Sequence, residues 1–192
     1  DRWPPALYDC VREMAQRKTN AVLLMLGGAD RLEAERHYPE TGLDFGGGRW
    51  RAYYHCHDEA SAAPGEHGHF HIFARTDGGW AHTAALSVDA CGQPLQWFAC
   101  NRWVTGGPWL EHDALTDLLD ATNEQPREPL ADRWLLAMLQ SHRASLQALL
   151  EARDAALARV AQGRDVEDVR NDEMLYRLAA SPIDLQALLE QR

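Results

Sequence analysis

Five of the nine histidines fall within residues 55–71, in two runs: Tyr53-Tyr54-His55-Cys56-His57 and Glu66-His67-Gly68-His69-Phe70-His71. Extended backbone sends alternate side chains to one face, so each x-His-x-His run gathers its imidazoles on one side of a strand. If the two runs are the arms of a hairpin, His55, His57, His67, His69 and His71 all share one face. Imidazole is the commonest biological metal ligand and the only side chain that titrates unperturbed near neutrality. A patch holding five of them is the main constraint on both the fold and its use.

The remaining composition narrows the classes. Nineteen basic residues against twenty-nine acidic ones leave a net charge of −10, which argues against nucleic acid as a partner, since phosphate tracking needs a basic surface. The longest apolar run, Ala21 to Leu26, is too short to span a bilayer, so no membrane is expected. No stretch reads as a signal peptide. Cys10, Cys56, Cys91 and Cys100 form no C-x-x-C pair, and reduced thiols in a cytoplasmic protein are expected.

Apolar periodicity predicts a helical start over 5–26, broken near Thr19-Asn20 and stopped by Gly27-Gly28. Residues 29–49 read as irregular. Four strands follow: Arg49 to His57, His67 to Arg75, Trp80 to Val88 and Leu95 to Val104. The tight turns at 76–79 and 89–92 imply an antiparallel meander. Helices are predicted from His112 to Ala121, from Leu130 to Gln162 with a kink near Ser141, over Asp172–Ala180, and over Pro182–Gln191 with Ser181 as its cap. The expectation is one α+β domain over 1–192: a four-stranded antiparallel sheet over about 49–104, with helical parts at 5–26 and 112–191. The leucine stripe of the long helix must bury against something, and a homo-oligomer or a protein partner docked on the C-terminal helices is compatible with it.

Parity assigns His67, His69, His71 and Phe73 to one face of the second strand and Phe70, Ile72 and Ala74 to the other. Tyr53, His55 and His57 share the histidine face, with Cys56 opposite. His55 is expected near His69, and His57 near His67. His82, Leu86 and Val88 of the third strand, with Phe98 and Cys100 of the fourth, are expected on the same side. Opposed residues lie about 4.5–5.5 Å apart at Cβ, close enough for several imidazoles to meet one ion at about 2.0–2.1 Å.

All-nitrogen ligation suits a transition metal: zinc or iron first, with copper and nickel also compatible. Glu66 is the candidate catalytic residue. It is expected as a general base beside metal-bound water, as a ligand, or as an acceptor that fixes an imidazole tautomer. Asp58 or Glu59 are further candidates for a two-histidine, one-carboxylate face. His37-Tyr38-Pro39 is read as a loop turn, with a lid as the other option. The expected function is a metal-dependent enzyme acting on a small molecule.

The strings His37-Tyr38-Pro39, Tyr53 to His57, Glu66 to His71 and Asn101-Arg102-Trp103 resemble an uncharacterised family of bacterial proteins, and the resemblance covers most of this chain. That resemblance implies no particular activity. Locally, His67-Gly68-His69-Phe70-His71 is similar to the signature of histidine-triad hydrolases and nucleotidyl transferases, which implies His69 as a nucleophile on phosphorus. Gly68 stands where that family carries an apolar residue. The cupin motif also begins His-x-His, but its following glutamate is missing from residues 70–75. A non-catalytic partner-binding module is the third reading.

Overall fold

The structure is a computed structural model and describes residues 5–57, 64–123 and 128–184. Helices α1 (Pro5–Gln16) and α2 (Ala21–Leu26) come first. Asn20 caps α2 by accepting a hydrogen bond from the Leu23 amide at 2.9 Å, and Gly27 ends it at a left-handed φ of 59°. The break predicted at Thr19-Asn20 is therefore a capped start. Among the described residues the sheet has six strands, not four: β1 (Tyr38–Phe45), β2 (Trp50–His55), β3 (Gly68–Thr76), β4 (Gly79–Val88), β5 (Pro94–Cys100) and β6 (Arg177–Pro182). They lie in sequence order, with each neighbouring pair antiparallel.

Both added strands are edges. β1 occupies the segment read as irregular, because Pro39 and Gly42 look like breakers. Proline is tolerated on an edge strand, where its missing N–H faces no partner, and the β1–β2 register shifts between Tyr38 and Leu43. At the other edge, the helix expected over Asp172–Ala180 is a turn followed by β6. Ala179 and Ala180 have helical propensity, but pairing with Ala99 and Phe98 of β5 overrides it. Ser181 and Pro182 lie at the end of β6 rather than capping a helix, and residues 185–191 of that expected helix lie outside the described residues. The fourth strand also stops early. Asn101 accepts from the Arg102 amide at 3.0 Å and opens α3 (Arg102–Thr105).

Helices α4 (His112–Asp120), α5 (Leu130–Ser141), α6 (Arg143–Val160) and α7 (Val166–Arg170) lie between β5 and β6. The predicted kink is the break at His142, where its Nδ1 lies 2.9 Å from the Met138 carbonyl. One sheet face carries Trp50, Ala52, Tyr54, Phe70, Ile72, Ala84, Leu86, Val88 and Trp97. It is buried with Leu7, Met25, Trp134, Leu135, Leu139, Leu146 and Leu150 of the helices. The leucine stripe is thus consumed by the chain's own core. No described helix is long and apolar enough to cross a membrane, and the four cysteines are free.

Candidate metal centre

The opposite sheet face carries the histidines. His55 of β2 pairs directly with His69 of β3, and Tyr53 with His71. The next strand adds His82 through a bulge: Ile72 faces Ala84, but Phe73 faces His82, so Thr83 is the extra residue. A one-residue slip exchanges faces. Leu86 and Val88, expected beside the histidines, therefore lie in the helix-covered core, while His82 comes to the histidine side. Phe98 and Cys100 do reach that side: the Phe98 ring lies 5.1 Å from His69, and Cys100 Sγ lies 3.5 Å from His82 Nδ1.

Four of the five predicted histidines come together. Ring centroids are separated by 4.5 Å for His55–His69, 4.8 Å for His69–His71, 5.0 Å for His55–His71, 4.8 Å for His55–His57 and 5.2 Å for His57–His69. His69 Nε2 lies 2.7 Å from His55 Nε2 and 3.1 Å from His71 Nε2. His67 is not among them. It precedes β3, and its Nδ1 lies 2.7 Å from the Tyr54 hydroxyl, whose ring belongs to the helix-covered core. Parity assigned His67 to the histidine face, but parity holds only while the backbone stays extended and paired.

Between His67 and His69 stands Gly68, pressed against β2. A Cβ there would sit 2.5 Å from the His55 carbonyl oxygen and would also strike the Tyr54 hydroxyl. Only glycine lets the two histidine strands approach this closely, which accounts for glycine at a position that is apolar in histidine-triad proteins. Gly68→Ala is expected to lower stability by about 1–3 kcal/mol, the usual cost of overpacking, as read by urea unfolding. It should also spread the His55–His69 pair.

Two carboxylates hold the cluster from behind. Glu66, only 4 % exposed in its side chain, places Oε1 2.6 Å from His69 Nδ1, while its Oε2 accepts from Ser87 Oγ at 2.6 Å and lies 3.8 Å from Arg177. This bond puts the His69 proton on Nδ1 and leaves the Nε2 lone pair facing inward. Glu35 does the same for His57 by pairing with its Nδ1. Glu35 sits at a left-handed φ of 63°, and its amide donates to the Cys56 carbonyl at 2.8 Å. That rarely used backbone conformation carries the preceding loop onto the end of β2. Glu35 was missed because the local sequence offers only an irregular segment, twenty-two residues from His57. In the same loop, His37 stacks on Tyr53 at 3.8 Å and lies 5.6 Å from His55. Asp58 and Glu59 lie outside the described residues.

Burial sets the protonation states. Desolvation, with His69, His57 and His37 nearby, pushes His55 down to about 3. Desolvation and the Arg153 charge push His82 down to about 3. His71 is held well below its ordinary value by burial and then by His82, His69 and His55. Burial also lowers His69, although Glu66 opposes it. Glu66 itself stays below the usual carboxylate range: burial raises it, but the bonds from His69 and Ser87 outweigh that. Burial raises the Cys100 thiol to about 12. The rings of His55, His69, His71 and His82 are therefore held neutral, with lone pairs available.

Among the described residues, two groups can hold a metal ion: His55, His57 and His69, and separately His71, His82 and Cys100. In each, one ligand atom per residue lies within 4.8 Å of the others. His57 is 19 % exposed in its side chain, whereas His69 is 1 % exposed, so the first group opens at His57.

Comparison with curated proteins and with solved structures finds no match. The histidine strands, the loop that carries Glu35 and the segment around Asn101 all lie within residues 4–183, and over those residues the chain matches, and so belongs to, the family described as a domain of unknown function (DUF6969).

Proposed function

We propose that this chain is a transition-metal-binding protein, with the ion held by His55, His57 and His69, and that it works as a metal-dependent enzyme on a small-molecule substrate. The observation that carries this reading is a count of lone pairs. Glu66 occupies His69 Nδ1, so His69 Nε2 has one lone pair, yet it faces the Nε2 atoms of both His55 and His71. If His55 donates to that lone pair, its own Nδ1 stays buried without a partner among the described residues. A cation that receives the inward-facing lone pairs relieves this competition, because neutral imidazoles coordinate without the repulsion that protons would bring. Tetrahedral ligation at about 2.0–2.1 Å needs nitrogen atoms about 3.3–3.4 Å apart, so the His55–His69 pair opens by well under 1 Å to admit an ion.

Zinc or iron suits this all-nitrogen set, and copper or nickel is also compatible. When bound, such an ion polarises an oxygen of its substrate or lowers the pKa of water. The chain's own residues do the rest. Glu66 and Glu35 orient His69 and His57, Tyr53, Phe73 and Phe98 wall the site, and the His57 side gives access. Of the three roles held for Glu66, its bond to His69 Nδ1 best supports that of a positioning residue. The histidine-triad role for His69 finds less support, since its Nε2 faces two imidazoles rather than an open groove.

Elemental analysis of the purified full chain should find near-stoichiometric metal. No metal after reconstitution with zinc and with ferrous iron would refute the reading. Glu66→Gln should weaken binding about 10–100-fold, the usual cost of losing an outer partner, as measured by competition with a chromogenic chelator.

A further inference from the structure

We propose that His71, His82 and Cys100 form a second metal site, one that takes a thiophilic cation (zinc or cuprous copper) and stands beside the first. It goes beyond the proposed function, because its ligands come from different strands and bring a thiolate. His71 faces both groups, with Nε2 3.1 Å from His69 Nε2 and Nδ1 2.9 Å from His82 Nε2. The sulfur is the telling atom. Cys100 Sγ lies 3.5 Å from His82 Nδ1 and 3.7 Å from His82 Nε2. A thiol donating to either nitrogen would lie along that nitrogen's lone pair, and hence far from the other one. Near-equal distances align it with neither. The thiol is therefore left without an aligned acceptor on His82, and one ligand atom each of His71, His82 and Cys100 lies within 4.8 Å of the others, within reach of one ion once the His82 ring turns a nitrogen toward it.

The surroundings favour a soft ion. His71 is 1 % exposed and Cys100 2 %, and Phe73 lies 5.3 Å from His82. A thiolate with imidazole selects zinc or cuprous copper over hard cations. Loading releases the Cys100 thiol proton to solvent. The bulge at Thr83 builds this site, since without it His82 would lie on the core face.

Titration of the metal-free full chain with cobalt(II) tests this. Two equivalents are expected, with a thiolate-to-cobalt charge-transfer band accompanying one of them. Cys100→Ser, close in shape to the native residue, should lose that band and one equivalent, and His82→Gln should do likewise. Both variants should keep the other equivalent, with circular dichroism showing that they fold. His55→Ala should keep the thiolate band. One equivalent without the band, lost in His55→Ala, would overturn the second site and leave the first standing. One equivalent with the band, indifferent to His55→Ala, would sustain the thiolate site and remove the first. No binding at all would overturn both.

Discussion

His69→Ala abolishes metal binding at the His55–His57–His69 group, with only the thiolate-linked equivalent of the His71–His82–Cys100 group surviving gel filtration in the presence of a weak chelator. Any other single substitution in the cluster should do less. His69 is the one ring whose Nε2 lies within 3.1 Å of both His55 and His71, and its centroid is also 5.2 Å from His57. Removing it leaves its neighbours without a common focus. The loss should exceed the 10–100-fold expected for an outer partner such as Glu66. The substitution also orphans a nearly fully buried carboxylate. Glu66 keeps the Ser87 hydroxyl and a distant Arg177, so the metal-free variant should lose about 1–3 kcal/mol of stability. Adding Glu66→Gln to His69→Ala should recover part of that stability and none of the metal. Metal retained beyond the thiolate-linked equivalent by a folded His69→Ala protein would contradict the assignment.

Acid should unfold the metal-free protein well before its carboxylates are exhausted. The relevant shifts are downward from 6.5, to about 3 for His55 and for His82, and His71, His69 and His142 are also lowered. A ring with a depressed folded-state value stays neutral in the fold while the unfolded chain takes up its proton. Stability from these groups is therefore complete above pH 6.5 and is lost as pH falls from there toward 3. Each such histidine contributes a slope of about 1.4 kcal/mol per pH unit. Two of them over two pH units approach the total stability of an ordinary domain, about 5–15 kcal/mol. Glu66 acts in the same sense at lower pH, because its value is also depressed. Urea midpoints of the chelator-treated protein should fall steeply between pH 6.5 and 4. Bound metal should move that fall to lower pH, since an ion that takes neutral rings opposes their protonation. A midpoint flat across this window would show that the rings are solvated or already charged.

The central hairpin was legible because its signals are local. Alternation over residues 53–57 and 69–73 and the tight turns at 76–79 and 89–92 need only neighbouring residues to be read. They place His55 opposite His69 and bring His71 beside them. Failures occur where a distant partner decides. Tyr38–Phe45 contains a proline and a glycine, and it becomes a strand only because β2 offers it an edge. Arg177–Pro182 has helix-forming residues and becomes a strand only because β5 is unpaired on that side. His67 obeyed parity on paper, but it stands outside the paired strand, where the Tyr54 hydroxyl captures it. Leu86 and Val88 were assigned to the wrong side for the opposite reason: one extra residue, Thr83, reverses faces within β4.

From sequence alone came the histidine-bearing strands, their antiparallel pairing, the neighbouring Glu66 and the helices on either side, because period-2 and period-3.6 patterns are written in consecutive residues. Only the tertiary structure could add Glu35 behind His57, turn His67 away, and carry His82 and Cys100 to the histidine side. Those outcomes depend on a bulge, a left-handed residue and contacts between segments far apart in the chain. Their energies come from pairing and burial across the fold rather than from local preference.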